Sequence, residues 1–364
     1  AYRYEIIEKA YPHAFDMIKK YVEDDRWCIS GTAYENGDAN IPSPEALIRN
    51  ILIGDRYFKK HFGKSSKDIF LPDCFGFGWA LPSVAAHCGL LGFTTQKLSW
   101  GSANGLPFDL GRWTGPDGKG IFACLNAKSY RYKFTGDIRA DLSIIDKIAD
   151  NANHADLPWA NHLYGTGDWG GSPTEESVIA VEESVKKNDL SDFEVISAHS
   201  DDVFKDMNQL SAEEKAKLPL WNSDLLMTSH GAGAYTSRCM SKKLNRQNEQ
   251  FGLATEKSCV LAHSLGAYKY PKNALNQAWK RVAAHQFHDD ITGTSWMQVY
   301  NESWNDYYLS LSQFKNEFLG AGKAIIDKLH TSWVNSKSTA IMVNNPTQYK
   351  RKSVVAVSYT HLRA

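Results

Sequence analysis

The sequence predicts an α/β domain followed by an all-α domain, and three observations lead to that class. Two apolar stretches each end in an acid with glycines around it, at Asp73 and at Asp168. Short apolar runs broken by Gly and Pro read as buried strands. A Pro116-Asp117-Gly118 turn joins two strand-like pieces, Phe108–Trp113 and Gly120–Leu125, into a hairpin. Beyond residue 201 the strand signals thin out, and three long stretches carry apolar residues at a period of about 3.6, as bundle helices do.

Composition narrows the partners. The 364 residues suffice for two or three domains with a sizeable core. Lys plus Arg and Asp plus Glu both number 41, so the net charge is zero and nothing attracts a nucleic acid or an acidic membrane. Eleven Trp and seventeen Tyr supply core, and also faces on which a sugar ring can stack. The six cysteines show no Cys-x-x-Cys, which argues against a zinc ribbon or a thioredoxin-type motif and leaves the compartment open. These residues contain no membrane-length apolar run and no signal-peptide pattern.

Taken in order, Tyr11–Val22 has helical spacing and Trp27–Gly31 reads as a strand. Ala33–Ile41 is a polar loop carrying Glu35 and Asp38, which by default are plain loop acids. Ser43-Pro44-Glu45 opens a helix that runs to Phe62 and stops at Gly63. Ile69-Phe70-Leu71 is a strand that halts at Pro72 and places Asp73 at its mouth, where parallel-sheet enzymes carry catalytic groups. The same pattern also fits a turn acid or a helix cap. Ala80–Gly89 is a short helix and Phe93–Trp100 a further strand.

A helix over residues 138–160 leads to a short strand, Ala160–Tyr164, and the run Gly165-Thr-Gly-Asp168-Trp-Gly-Gly-Ser-Pro-Thr174. No Gly-Lys-Ser/Thr follows, so this is not a phosphate loop. Two acids at two strand mouths are what a glycosidase needs. Thr174 caps a helix to Lys187, and Phe193–Ile196 is the last strand of the domain. The bundle helices are Thr236–Ala262, with Met240, Leu244, Phe251 and Ala254; Pro271–Phe287, with Leu275, Trp279 and Val282; and Asn301–Leu329, with Trp304, Tyr308, Leu311, Phe318 and Ile325. At the end of the second stands His285-Gln-Phe-His288-Asp289-Asp290-Ile-Thr-Gly-Thr294. A lone histidine is usually structural, but two with adjacent acids at a helix end are a metal candidate. Ile341–Val343 and Val354–Val357 read as the first hairpin of a β domain.

Several of these runs together resemble glycoside hydrolase family 38, the α-mannosidases. They are Leu71-Pro-Asp73-Cys-Phe-Gly76, Ala80-Leu-Pro82, Thr95-Gln-Lys-Leu-Ser-Trp100, Asn40-Ile-Pro-Ser43 and Phe287-His-Asp-Asp-Ile-Thr-Gly-Thr294. The resemblance runs from residue 1 to about residue 357. It implies an irregular (β/α) barrel of the glycoside hydrolase/deacetylase type over residues 1–204, a three-helix bundle over 205–333, and the first strands of a β-sandwich over 334–364, with Ser358–Ala364 reading as foreign to the family. It implies a retaining exo-α-mannosidase in which Asp73 is nucleophile and metal ligand, Asp168 acid/base, and His288 a zinc ligand. Asp289 would contact the sugar, with Trp100, Trp169 and Trp113 as further substrate candidates; the last belongs to a hairpin that reads as structural. His285 reads as packing behind the metal. The family draws two more metal ligands from a His-x-Asp pair upstream of Ala1, so this stretch alone is expected to bind zinc weakly and to be inactive. The substrate would be an α-mannoside oligosaccharide or glycan; linkage preference and oligomeric state, a homo-oligomer included, stay open. A metal-dependent carbohydrate deacetylase and a non-catalytic carbohydrate-binding protein are the alternatives.

Overall fold

The computed structural model describes residues 1–168, 170–190, 193–335, 337–338 and 340–354. Helices α1 (Tyr2–Ala10) and α2 (Pro12–Glu23) pack on α3 (Pro44–Phe62). The expected caps of α3 form: the Ser43 hydroxyl accepts from the Ala46 N–H at 3.3 Å, and Gly63 turns left-handed at φ 69°. The chain then alternates through β1 (Asp68–Phe70), β2 (Gly76–Phe77), α4 (Ala80–His87) and β3 (Gly92–Thr94). The hairpin β4 (Leu110–Thr114) and β5 (Gly120–Cys124) pairs antiparallel, as the Pro-Asp-Gly turn requires. Next come α5 (Leu142–Ala155), α6 (Glu175–Lys186), α7 (Asp202–Gln209), α8 (Ala212–Lys217), β6 (Leu220–Trp221) and β7 (Leu225–Leu226). Three helices follow: α9 (Cys239–Ser264), α10 (Lys272–Ala284) and α11 (Met297–Ile326).

The main sheet is mixed, in the order β1-β3-β5-β4-β6, with β1, β3 and β5 parallel. A separate antiparallel pair, β2 with β7, closes beside the mouth of β1. One face of the sheet buries Ile69, Phe93 and Trp113 against Leu81 and Val84 of α4. The other buries Leu110, Phe122 and Cys124 against Phe204 and Met207 of α7. Both faces are covered, which explains why β3 and most of β5 are buried at successive positions rather than at alternate ones. The bundle core joins Leu244, Leu275, Trp279, Val282, Tyr307 and Phe314. None of the helices among the described residues is long and apolar enough to cross a membrane.

Several expected elements are corrected. Trp27–Gly31, Ala160–Tyr164 and Phe193–Ile196 form no strand, and the Phe93 strand ends at Thr94, giving way to a tight turn over Lys97–Trp100. Isolated bonds such as Thr32 N–H to the Asp68 carbonyl and Leu163 N–H to the Ala127 carbonyl replace a ladder. An apolar extended segment becomes a strand only where a neighbour offers a run of partners. The helix expected over 138–160 is α5 alone, preceded by a short turn at Ile138–Ala140. Tyr308 is exposed and Tyr307 takes its place in the bundle, because α11 turns a neighbouring stripe inward. Residues 341–343 carry no strand, and the rest of that expected hairpin, 355–357, lies outside the described residues.

Candidate active site

The main chain leaves β1 at Phe70, and Leu71 N–H still bonds the Thr94 carbonyl. Pro72 ends the pairing, since it brings no N–H, and its carbonyl is fixed by the Gln96 amide at 2.9 Å. Asp73 therefore stands at the sheet's C-terminal mouth with its two oxygens divided. Oδ1 receives the ammonium of Lys97, whose residue is only 3% exposed. Oδ2 lies 3.4 Å from Nε2 of His288.

His288 arrives from the turn after α10. Its ring Nδ1–H donates to the Asn36 carbonyl at 3.1 Å, and its backbone N–H donates to the same oxygen at 3.2 Å. That pair of bonds commits Nδ1 to the loop and leaves Nε2 for the carboxylates. Asp289 Oδ2 lies 3.6 Å from the same Nε2, while its Oδ1 accepts from the Thr294 hydroxyl at 2.5 Å. Donor atoms of Asp73, His288 and Asp289 all lie within 4.8 Å of one another. One imidazole and two carboxylates converging in this way suit zinc or another divalent ion. His285 takes no part: it sits between Asp290 (2.7 Å) and Asp306 (3.1 Å).

The electrostatics follow from these contacts. Burial pushes the Asp73 carboxyl up, but His288 and Lys97 outweigh it and hold it below the usual range. Burial likewise pulls the His288 imidazole down, and Asp73 and Asp289 more than reverse this. In the metal-free protein the two groups form an ion pair, and a metal ion would take the proton's place.

Asp168 stands differently. No strand precedes it; its backbone is left-handed at φ 65°, and its side chain is 47% exposed. It accepts from the Tyr130 hydroxyl at 3.0 Å and lies 3.5 Å from the Arg131 guanidinium. Gly167 is required here, since a Cβ would fall inside the Tyr130 ring. The Tyr130 phenol is pushed up by burial first, then by the charge of Asp73 and the bond to Asp168. Tyr130 thus lies under the influence of both acids.

The aromatic candidates separate. Trp100 is 41% exposed, packs at 4.7 Å on His230, and has the Lys97 ammonium 4.6 Å from its ring centre. Lys97, which also meets Asp73, links Trp100 to that corner. Trp113 is 0% exposed, donates to the Ser223 carbonyl at 2.9 Å and packs on Phe93, so no sugar can reach it. Trp169 lies outside the described residues. Glu35 and Asp38 are both buried: Glu35 pairs with Arg3 at 2.6 Å, and Asp38 accepts from the Tyr235 hydroxyl at 2.6 Å.

Two side chains at this site escape the motif reading. Lys97 lies inside the Thr95–Trp100 run, but a strand assignment hides that a turn aims it back at Asp73. Asn36 gives no signal, because it meets His288 through its carbonyl. His230, which belongs to a run before the first bundle helix that also resembles the family, is left-handed at φ 43° and packs on Trp100.

Comparison with known proteins bears on the family and the fold. Residues 2–224 match the glycosyl hydrolases family 38 N-terminal domain, and residues 229–321 the alpha mannosidase middle domain. The chain is 32% identical to alpha-mannosidase G of Dictyostelium discoideum over 322 residues, covering 87% of this chain and 28% of that protein. It is 31% identical to an alpha-mannosidase of Saccharomyces cerevisiae over 314 residues, covering 82% and 28%. The chain thus spans under a third of the length of these relatives. In fold it is similar to an alpha-mannosidase from Enterococcus faecalis, with a TM-score of 0.71 at 20% identity, over 91% of this chain and 37% of that one.

Proposed function

This chain belongs to glycosyl hydrolase family 38, and on that footing we propose that it is the catalytic part of a retaining exo-α-mannosidase that removes terminal α-linked mannose from oligosaccharides or glycans. The open sheet with its flanking extended segments is read as an irregular (β/α) barrel, with residues 1–204 as the barrel unit, 205–333 as the bundle and 334–364 as the start of a β unit. One observation carries the reading. The acid at the mouth of β1 and the histidine after α10 meet at 3.4 Å, with Asp289 in the same donor set.

In the proposed reaction Asp73 attacks the anomeric carbon while Asp168 gives its proton to the departing glycosidic oxygen. A mannosyl ester on Asp73 results. Asp168, now a carboxylate, takes a proton from water, the water oxygen attacks the same carbon, and Asp73 is released. Such a double displacement needs the two carboxyls about 5–5.5 Å apart. Asp73 suits the nucleophile because Lys97 and His288 keep it ionised. Asp168 suits the acid because it is reached from solvent and held by the Tyr130 hydroxyl. Asp73 and His288 would hold the divalent ion, zinc by family resemblance. When bound it supplies positive charge that fixes sugar hydroxyls. Asp289 and the open face of Trp100 then contact the sugar.

The test uses the full-length protein. A fluorinated mannosyl fluoride should inactivate it, and mass spectrometry should find the trapped sugar on the peptide containing Asp73. A label on another residue, or release of acetate from an acetylated sugar in place of mannose from an aryl mannoside, would overturn this reading.

A further inference from the structure

The site is made of two pieces of chain, and one side chain between them holds both. His288 takes both of its bonds to the loop from the Asn36 carbonyl, 252 residues away in sequence. The side-chain amide of the same Asn36 donates at 3.3 Å to the carbonyl of Phe70, the last residue of β1 and three residues before Asp73. Its Oδ1 faces the buried Cys74 thiol at 3.8 Å, and its backbone N–H donates to Glu35 Oε1 at 2.8 Å. From this juxtaposition we infer that Asn36 is a positioning residue, which sets the separation of Asp73 from His288 and so the metal affinity of the site. The inference rests on the metal reading proposed above.

The loop that carries Asn36 is itself held from three sides. Asn50 on α3 bonds the Glu35 N–H and carbonyl, both at 2.9 Å. Asp38 N–H donates to the Gln286 carbonyl at 2.8 Å, beside His288. The Asp38 carboxylate accepts from Asn40 N–H at 2.9 Å, Ile41 N–H at 2.7 Å and the Tyr235 hydroxyl at 2.6 Å, a residue from the segment leading into α9. A loop pinned this firmly transmits position rather than flexing, so the Asn36 amide and carbonyl act as one rigid spacer. Groups that orient metal ligands in this way typically change metal affinity about 10- to 100-fold when removed.

The experiment compares wild type with Asn36→Ala and with Asn36→Asp, which keeps the shape but loses the N–H donor to Phe70. Zinc affinity is read by competition with a chromophoric chelator, on protein held well below its unfolding temperature. In parallel, nitrogen NMR follows the His288 Nδ1–H signal without metal. Both variants should weaken zinc binding about 10-fold or more and shift the His288 signal. Folded variants with wild-type zinc affinity and an unmoved His288 signal would overturn the inference. Asp73→Asn and His288→Gln separate the two levels. If neither changes zinc binding, the metal reading itself fails, whereas the NMR response to Asn36→Asp still decides whether Asn36 positions His288.

Discussion

The two corners to which the proposed reaction assigns its acids are built by opposite means. At the Asp73 corner each participant is buried or half-buried and held by several partners from distant parts of the chain: Lys97 from the turn after β3, His288 from the end of α10, Asn36 from the loop before α3. At the Asp168 corner the acid sits on a glycine-rich loop, half in solvent, with its partners Tyr130 and Arg131 drawn from a single other loop. The contrast fits the roles proposed for the two acids. A nucleophile that also binds a metal must be fixed and charged in the resting enzyme. An acid/base must exchange protons with water, so exposure serves it.

The largest effects should separate the corners by chemistry. In the full-length enzyme, Asp73→Asn should lower kcat by about 10⁴-fold or more, as loss of a nucleophile does. Asp168→Asn should cost about 10²–10⁴-fold, with azide restoring turnover of an aryl mannoside that has a good leaving group. Equal losses without azide rescue would mean that Asp168 is not the acid/base. Lys97→Met leaves the Asp73 carboxylate without its buried partner, so urea unfolding should show a loss of about 3 kcal/mol. A loss near zero would show that water reaches Asp73 freely and that this corner is no tighter than the other.

A subtler probe reaches the loop behind the site. The inner face of α3 at Gly54 lies so close to the chain that a Cβ would stand 2.2 Å from the Ala33 carbonyl carbon and 2.5 Å from Tyr34 N. Gly54→Ala must push this loop, and with it Asn36, at a cost of about 1–3 kcal/mol in thermal unfolding. Behind His288, burial pulls the His285 imidazole down, but Asp290 and Asp306 raise it above its ordinary value. A group raised on folding contributes stability that is full below its unfolded pKa of about 6.5 and is lost as pH rises through the folded value. His285→Asn should therefore flatten the fall in stability above about pH 6.5, read from unfolding midpoints across pH. The smallest effect belongs to the exposed corner: Arg131→Ala should change stability by no more than about 0.5 kcal/mol, because a solvated pair is screened. A larger loss would show that the Asp168 loop is ordered by that contact.

Local chemistry alone determined a good deal of this protein. Strand β1 and its stop at Pro72, the β4–β5 hairpin around Pro-Asp-Gly, the capped start and glycine end of α3, the Thr174 cap of α6 and the three bundle helices all follow from neighbours along the chain. Steric limits on Pro and Gly, cap hydrogen bonds and apolar periodicity act over a few residues, so a sequence displays them. The acids and the histidine of the candidate site were visible for the same reason, each lying within a compact motif. Tertiary structure decided the rest. The apolar segments at Trp27, Ala160 and Phe193 do not become strands, because strand formation depends on a partner that lies elsewhere. Trp113 and Trp100 are the same residue type near the same sheet, yet one is core and one borders the site, because only packing assigns a face. The meeting of Asp73 with Lys97 and His288, and of His288 with the carbonyl of Asn36, joins segments far apart in sequence. A backbone carbonyl carries no residue signature, so only the folded chain could reveal it.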